Sequence, residues 1–258
     1  MVEKTSSSKT DRVLRAGARA HVAEAVKARE ASEEIIKGWI VYLPLIAVVV
    51  GAGLGAMFAF LVGGDIGIAF GVFSMFSLTS ALLALLNYRL TRRLREHVRR
   101  ENMLRRGTIE YLRSLVEEVG IAGKVETELS NLESIEREAA ANEVVPNPVY
   151  AAMGVLPLVG IVITFFYLRP LTSIPPGHER RWQAFIAQSA AIGKAANLNM
   201  MFSAAVQSTR KRRFLIYLVL AVVFVPFFVY WYSKLISELN AHFEQQWREE
   251  DHLHRELG

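Results

Sequence analysis

Three stretches of this chain place a histidine about ten residues beyond a tyrosine that closes an apolar run. They run from Tyr88 to His97, from Tyr167 to His178 and from Tyr232 to His242. Arg89, Arg169 and Lys234 follow the tyrosines closely, and Trp182 and Trp247 follow the second and third histidines. Imidazole titrates near neutral pH and both donates and accepts hydrogen bonds, so these histidines could contact lipid headgroups or a partner protein. A half-buried place on a helix lying at the membrane surface suits imidazole equally well, with its apolar body in and its polar tip out. Tyr88, His97, Tyr167, His178, Tyr232 and His242 are therefore the candidate interface or headgroup contacts.

Other chemistry is hard to find. There is no P-loop, no G-x-G-x-x-G after a strand, no H-E-x-x-H and no G-x-S-x-G. The chain has no cysteine, which removes disulfides, thiolate metal sites and iron–sulfur clusters. No histidine lies inside an apolar run, which argues against a haem held between spans. His252 and His254, beside Glu249, Glu250 and Asp251, could hold a metal, but they lack helical i,i+4 spacing and read as a solvated tail. The sequence thus predicts no catalytic residue, no cofactor, no metal site and no enzyme.

The elements that carry these residues are helices and membrane spans. Of 258 residues 52 % are hydrophobic, gathered into a few uninterrupted runs, which marks an all-α integral membrane protein. The pattern predicts a polar tail with an amphipathic helix from Thr10 (1–37), a transmembrane hairpin (38–88) and a soluble helical hairpin (89–148). A third span (149–168, containing Pro157), an amphipathic region (169–213), a fourth span (214–232, containing Pro226) and an amphipathic C-terminal helix (233–258) follow. Residues 1 to about 9 read as disordered. In the first hairpin, Gly51, Gly55, Gly67 and Gly71 belong to small-residue stripes that let helices approach closely, within the chain or in a homo-oligomer.

Charge sets the orientation. With four spans, 22 Lys and Arg lie on the side of the N-terminus and 8 on the other, so both termini are expected in the cytoplasm and the protein in the cell membrane. Arg210, Lys211, Arg212 and Arg213 would then lie outside, against the trend. A fifth span over 183–206 would relieve this, but a lysine at its centre (Lys194) costs about 2.5–3.5 kcal/mol. Alternation also puts the second tyrosine–histidine copy across the membrane from the other two. The net charge of +5 sits at the span ends, where the bilayer and its anionic headgroups account for it without nucleic acid. In the loop 89–148 the basic residues crowd next to the span. The acidic ones, Glu143 among them, form a solvated tip.

The run Tyr230-Trp231-Tyr232, Lys234 and Leu239-Asn240-Ala241-His242 resembles a loosely defined group of small multi-spanning prokaryotic membrane proteins, often archaeal, of unknown function. The copy after Tyr88 departs from the pattern, with no tryptophan beyond His97. That resemblance implies no activity, substrate or site residue. With spans free of charge and soluble helices rich in it, the expected function is to organise or recruit partner proteins through the soluble helices. The alternative is a small-solute permeation or transporter component, its pore formed in an oligomer and lined by Ser74, Ser77, Thr79, Ser80 and Asn87.

Overall fold

The computed structural model describes residues 3–198, 209–224 and 226–257, with side chains from residue 13 onward and without those of 157 and 158. The helices are α1 (Glu3–Lys27), α2 (Arg29–Ser32), α3 (Leu43–Val62), α4 (Gly64–Val119), α5 (Glu126–Asn142), α6 (Pro157–Ala195), α7 (Phe214–Val223) and α8 (Phe227–Leu257). Three 3-10 stretches cover Gly38–Tyr42, Ala122–Lys124 and Pro148–Val155. Among the described residues there is no strand. Among the described residues three helical segments are long and apolar enough to cross a membrane: Gly38–Val62, Gly64–Val119 and Val159–Ala195.

α3 and α4 form a tight antiparallel pair because glycine removes the side chains that would hold them apart. A Cβ on Gly71 would stand 2.3 Å from the Cα of Gly55, and one on Gly51 would stand 2.4 Å from the Cα of Met75. Gly67 meets Ala59 in the same way. All four glycines are thus used inside one chain, where close backbone contact supplies the dispersion energy that lipid does not.

α4 then leaves its apolar half at Tyr88 without a break and continues for 56 residues in all, about 84 Å. Its charged half stays ordered because Leu90, Leu94, Val98, Leu104, Leu112 and Leu115 keep a buried stripe at helical spacing. Gly120, at a left-handed φ of 73°, ends it. α5 runs back along it, tied by ion pairs between Arg106 and Glu136 and between Arg113 and Glu133.

The two later apolar stretches are folded hairpins, not straight rods. The Tyr167 hydroxyl donates to the carbonyl of Asn147 at 2.6 Å, and Gly154 packs against Ile163 and against Ala84 of α4. Residues 148–155 therefore lie antiparallel against the start of α6. The turn falls at Leu156, extended as the residue before a proline tends to be, and Pro157 opens α6 where its missing N–H costs nothing. In the same manner α7 lies against the start of α8. Tyr217 packs on Phe227 and Trp231, and Arg212 pairs with Glu238. Prolines expected to kink two spans instead mark the starts of helices.

α1 begins at Glu3 rather than Thr10 and packs on the charged half of α4, where Gly107 admits Ala18, His21 and Val22. The far half of α6 shares that core. Trp182, Phe185, Ile186 and Ile192 are buried with Leu104, Leu132 and Leu253, so residues 183–195 continue α6 into the head and form no separate span. Residues 199–206 lie outside the described ones. A second core, at the neck between head and spans, gathers Leu90, Leu94, Leu171, Trp231, Leu239 and Phe243.

Candidate metal centre

Just beyond their apolar ends, α4, α6 and α8 run side by side and each turns one histidine inward. His97, His178 and His242 are 0 %, 0 % and 3 % exposed, and one nitrogen from each lies within 4.8 Å of the other two. The three tyrosine–histidine copies thus converge on one buried point, which their expected distribution over two sides of a membrane does not allow. Burial also removes the three imidazoles from any contact with headgroups or with a partner surface. Among the tyrosines, Tyr88 is half-buried, Tyr167 holds the hairpin at Asn147, and Tyr232 donates to Asn87 Oδ1 at 2.6 Å.

His97 Nε2 lies 2.9 Å from His178 Nε2. Glu101 Oε2 stands 2.5 Å from His178 Nε2 and 3.6 Å from His97 Nε2. His242 Nε2 is buried with no hydrogen-bond partner. Zinc at tetrahedral geometry, with nitrogen ligands at about 2.0–2.1 Å, separates its donor atoms by roughly 3.3 Å. The spacings among His97, His178 and Glu101 run from 2.5 to 3.6 Å, and His242 lies within 4.8 Å of the other two imidazoles.

The outer nitrogens of two imidazoles are fixed by carboxylates. His97 Nδ1 donates to Glu33 Oε1 at 2.7 Å, which turns its Nε2 lone pair inward. His178 Nδ1 sits 3.0 Å from Glu143 Oε2, a charge contact off the ideal hydrogen-bond line. A carboxylate behind each imidazole is the usual orientation device of metal-ligating histidines. Those carboxylates are held in turn. Glu33 accepts from Arg100 Nε at 2.7 Å and from the Trp247 indole, and Glu143 from Arg181 Nε at 2.8 Å and Arg105 Nη2 at 3.1 Å. Arg105 Nη1 also pairs with Glu101 Oε1 at 2.8 Å. Arg100 reaches Glu250 through both terminal nitrogens, at 2.7 and 2.8 Å.

All these groups lie beyond the apolar parts of their helices, and their protonation follows from burial and neighbours. Burial pushes His242 well below the usual histidine range, and the neighbouring imidazoles His97 and His178 push it the same way, so it keeps a free lone pair. Burial likewise lowers His97. Burial alone would raise Glu101, but Arg105 and His178 outweigh it and keep the carboxylate ionised. Burial would also raise Glu33 and Glu143; His97 and Arg100 hold the first at about 2, and His178 the second at about 2. Burial would lower His178, yet Glu101 and Glu143 lift it to about 9, so without a metal it carries the proton a cation would replace. Burial moves Glu250 up to about 7 against the pull of Arg100. Two neutral imidazoles, a third beside two carboxylates, and an ionised Glu101 make a ligand set for a divalent transition metal.

The sequence reading missed Glu33, Glu101 and Glu143. Glu143 is 4 % exposed and faces the site; it does not belong to a solvated tip. One signal was available: His97, Glu101 and Arg105, and likewise His242, Gln246 and Glu250, repeat every four residues and form polar stripes on single helix faces. His252 and His254 join no such cluster among the described residues.

Comparison with protein-family models, curated proteins and solved structures finds no match, so the reading of the centre rests on its geometry. That geometry makes Arg100 the tie between two buried carboxylates. Arg100→Ala should lower stability by about 3–5 kcal/mol, the usual cost of stranding buried charges, measured by denaturant unfolding in detergent.

Proposed function

We propose that this chain is a non-enzymatic membrane protein whose water-facing head is clamped by one divalent transition-metal ion and presented to partner proteins. The convergence of His97, His178, His242 and Glu101, with Glu33 and Glu143 behind two of the imidazoles, carries this reading. The three imidazoles and the neighbouring Glu101 are all buried, so an ion held there would be shut off from solvent and substrate, which favours a structural ion over a hydrolytic one. Such an ion joins α4, α6 and α8 at the neck, so the head holds its shape, and any partner surface on it, only when loaded. A solute pore has less support, because the small-residue faces of α3 and α4 are used up against each other.

In the membrane, α3 and the apolar half of α4 cross, while the hairpins 148–168 and 214–232 enter and return on one side. Their helical legs, 157–168 and α7, are about 18 and 15 Å long against a hydrocarbon layer of ~30 Å. The 3-10 leg turns Ala151 and Gly154 inward, Gly154 onto α4 and α6, and presents apolar side chains outward. Only the link 63–65 reaches the far side. All 30 Lys and Arg then share one face, the cytoplasmic one by the positive-inside tendency, including Arg210 to Arg213. Exposed Arg89, Arg92, Arg169 and Lys234 meet anionic headgroups there.

Purified protein should carry about one transition-metal ion per chain. His242→Ala should weaken its retention by about tenfold or more, and a chelator should lower the melting temperature of the wild type but not of the variant. Metal-free protein whose melting ignores chelator would defeat the clamp. For topology, the chain has no cysteine, so Lys194→Cys, Lys211→Cys and an N-terminal cysteine can be labelled singly. All three should react from the cytoplasmic face; labelling of Lys211→Cys from outside would restore alternating spans.

A further inference from the structure

Between α4 and the loop that follows α5 lies a cleft of about 520 Å3. Arg95, Arg99, Asn102 and Arg106 line one side of it, and Glu143 and Val145 belong to the other. The four residues of α4 fall at i, i+4, i+7 and i+11, which is one face of the helix.

Charge in the cleft is unbalanced. Further along α4, Arg100, Arg105, Arg106 and Arg113 each pair with a carboxylate. Arg95 and Arg99 are exposed and, among the described residues, make no hydrogen bond, ion pair or ring contact. Glu143, the acidic residue of the lining, is already engaged by His178, Arg105 and Arg181. Asn102 accepts from Arg105 through Oδ1 at 2.6 Å, which leaves its amide nitrogen to donate elsewhere. Two guanidiniums one helical turn apart, beside an amide donor and an apolar wall, concentrate anions from solution.

We propose that the cleft binds a water-soluble phosphate compound, its phosphate gripped by Arg95 and Arg99 and accepting from Asn102. A guanidinium fork takes two oxygens, so one arginine fills a carboxylate, whereas a phosphate has oxygens enough for both forks. Its charge of about −1.5 to −2 at pH 7 also matches the two unpaired cations. A lipid phosphate shares this chemistry but not the height. Arg95 and Arg99 lie seven and eleven residues beyond Tyr88, about 10 and 16 Å along the helix from the end of the apolar run. The headgroup layer is roughly 5–8 Å deep on each face of a bilayer. Arg89 and Arg92 stand within that depth, and the cleft stands beyond it. The reading rests on these arginines and not on the metal centre.

The test titrates the detergent-solubilised full chain with inorganic phosphate and, at matched ionic strength, with acetate. One phosphate per chain should bind saturably, and acetate about tenfold more weakly or worse. Arg95→Gln and Arg99→Gln should each weaken phosphate by about tenfold or more, the worth of a charged hydrogen bond. Lys234→Gln, an equal loss of charge outside the cleft, should change it little. Equal binding of acetate, an affinity unmoved by either arginine variant, or an equal loss in Lys234→Gln would each overturn the proposal. Wild-type protein that binds no phosphate would overturn it too; if that protein then captures phosphatidic acid vesicles through Arg95 and Arg99, the two arginines belong to the membrane surface. The comparison of phosphate with acetate on wild-type protein decides the matter even if a variant does not fold.

Discussion

Two imidazole nitrogens 2.9 Å apart, in a place no water reaches, need a hydrogen or a cation between them. The rest of the head is arranged around that requirement. Glu101 supplies negative charge from within the cluster, Glu33 and Glu143 supply it from behind, and Arg100 and Arg105 balance those carboxylates from further out. Each group is buried only because the next one pairs with it, since a lone ionised group at such depth would cost several kcal/mol. The network draws on α4, α6 and α8 together with the segment around Glu33 and the loop at Glu143. Five chain regions are thus fixed to one another at the neck.

The spans serve that convergence. Three helices can deliver their histidines to one point only if they leave the apolar layer on the same side, and the folded hairpins at 148–168 and 214–232 achieve this. Their turns come from proline used at helix starts, and their contacts from Tyr167 on Asn147 and Tyr217 on Trp231. The glycine-faced pair α3–α4 provides the straight support against which the first hairpin packs through Ala84 and Gly154. Three aromatic exits that looked like independent membrane anchors become one structural unit.

Much of this was legible in the residues and some was not. The helical class, the glycine faces of α3 and α4 and the long stripe of α4 up to Gly120 follow from spacing alone. The hairpins did not, because an apolar run of about 20 residues with one proline reads equally as a kinked span or as two folded legs. Hydropathy measures composition and is blind to a turn. The repeated histidines were visible as a pattern, yet their shared destination depended on topology, so the expected alternation of spans set apart residues that the fold brings together. Glu143 was lost among other acidic residues of its loop, whose burial only tertiary packing decides. Glu101, one helical turn from His97, was the readable clue.

The most direct measurement is an X-ray absorption spectrum at the edge of whatever transition metal copurifies with the full chain. A first shell of three imidazole nitrogens and one oxygen at about 2.0–2.1 Å is the predicted result. Protein without metal, or a shell of solvent oxygens lacking the imidazole scattering signature, would contradict the account.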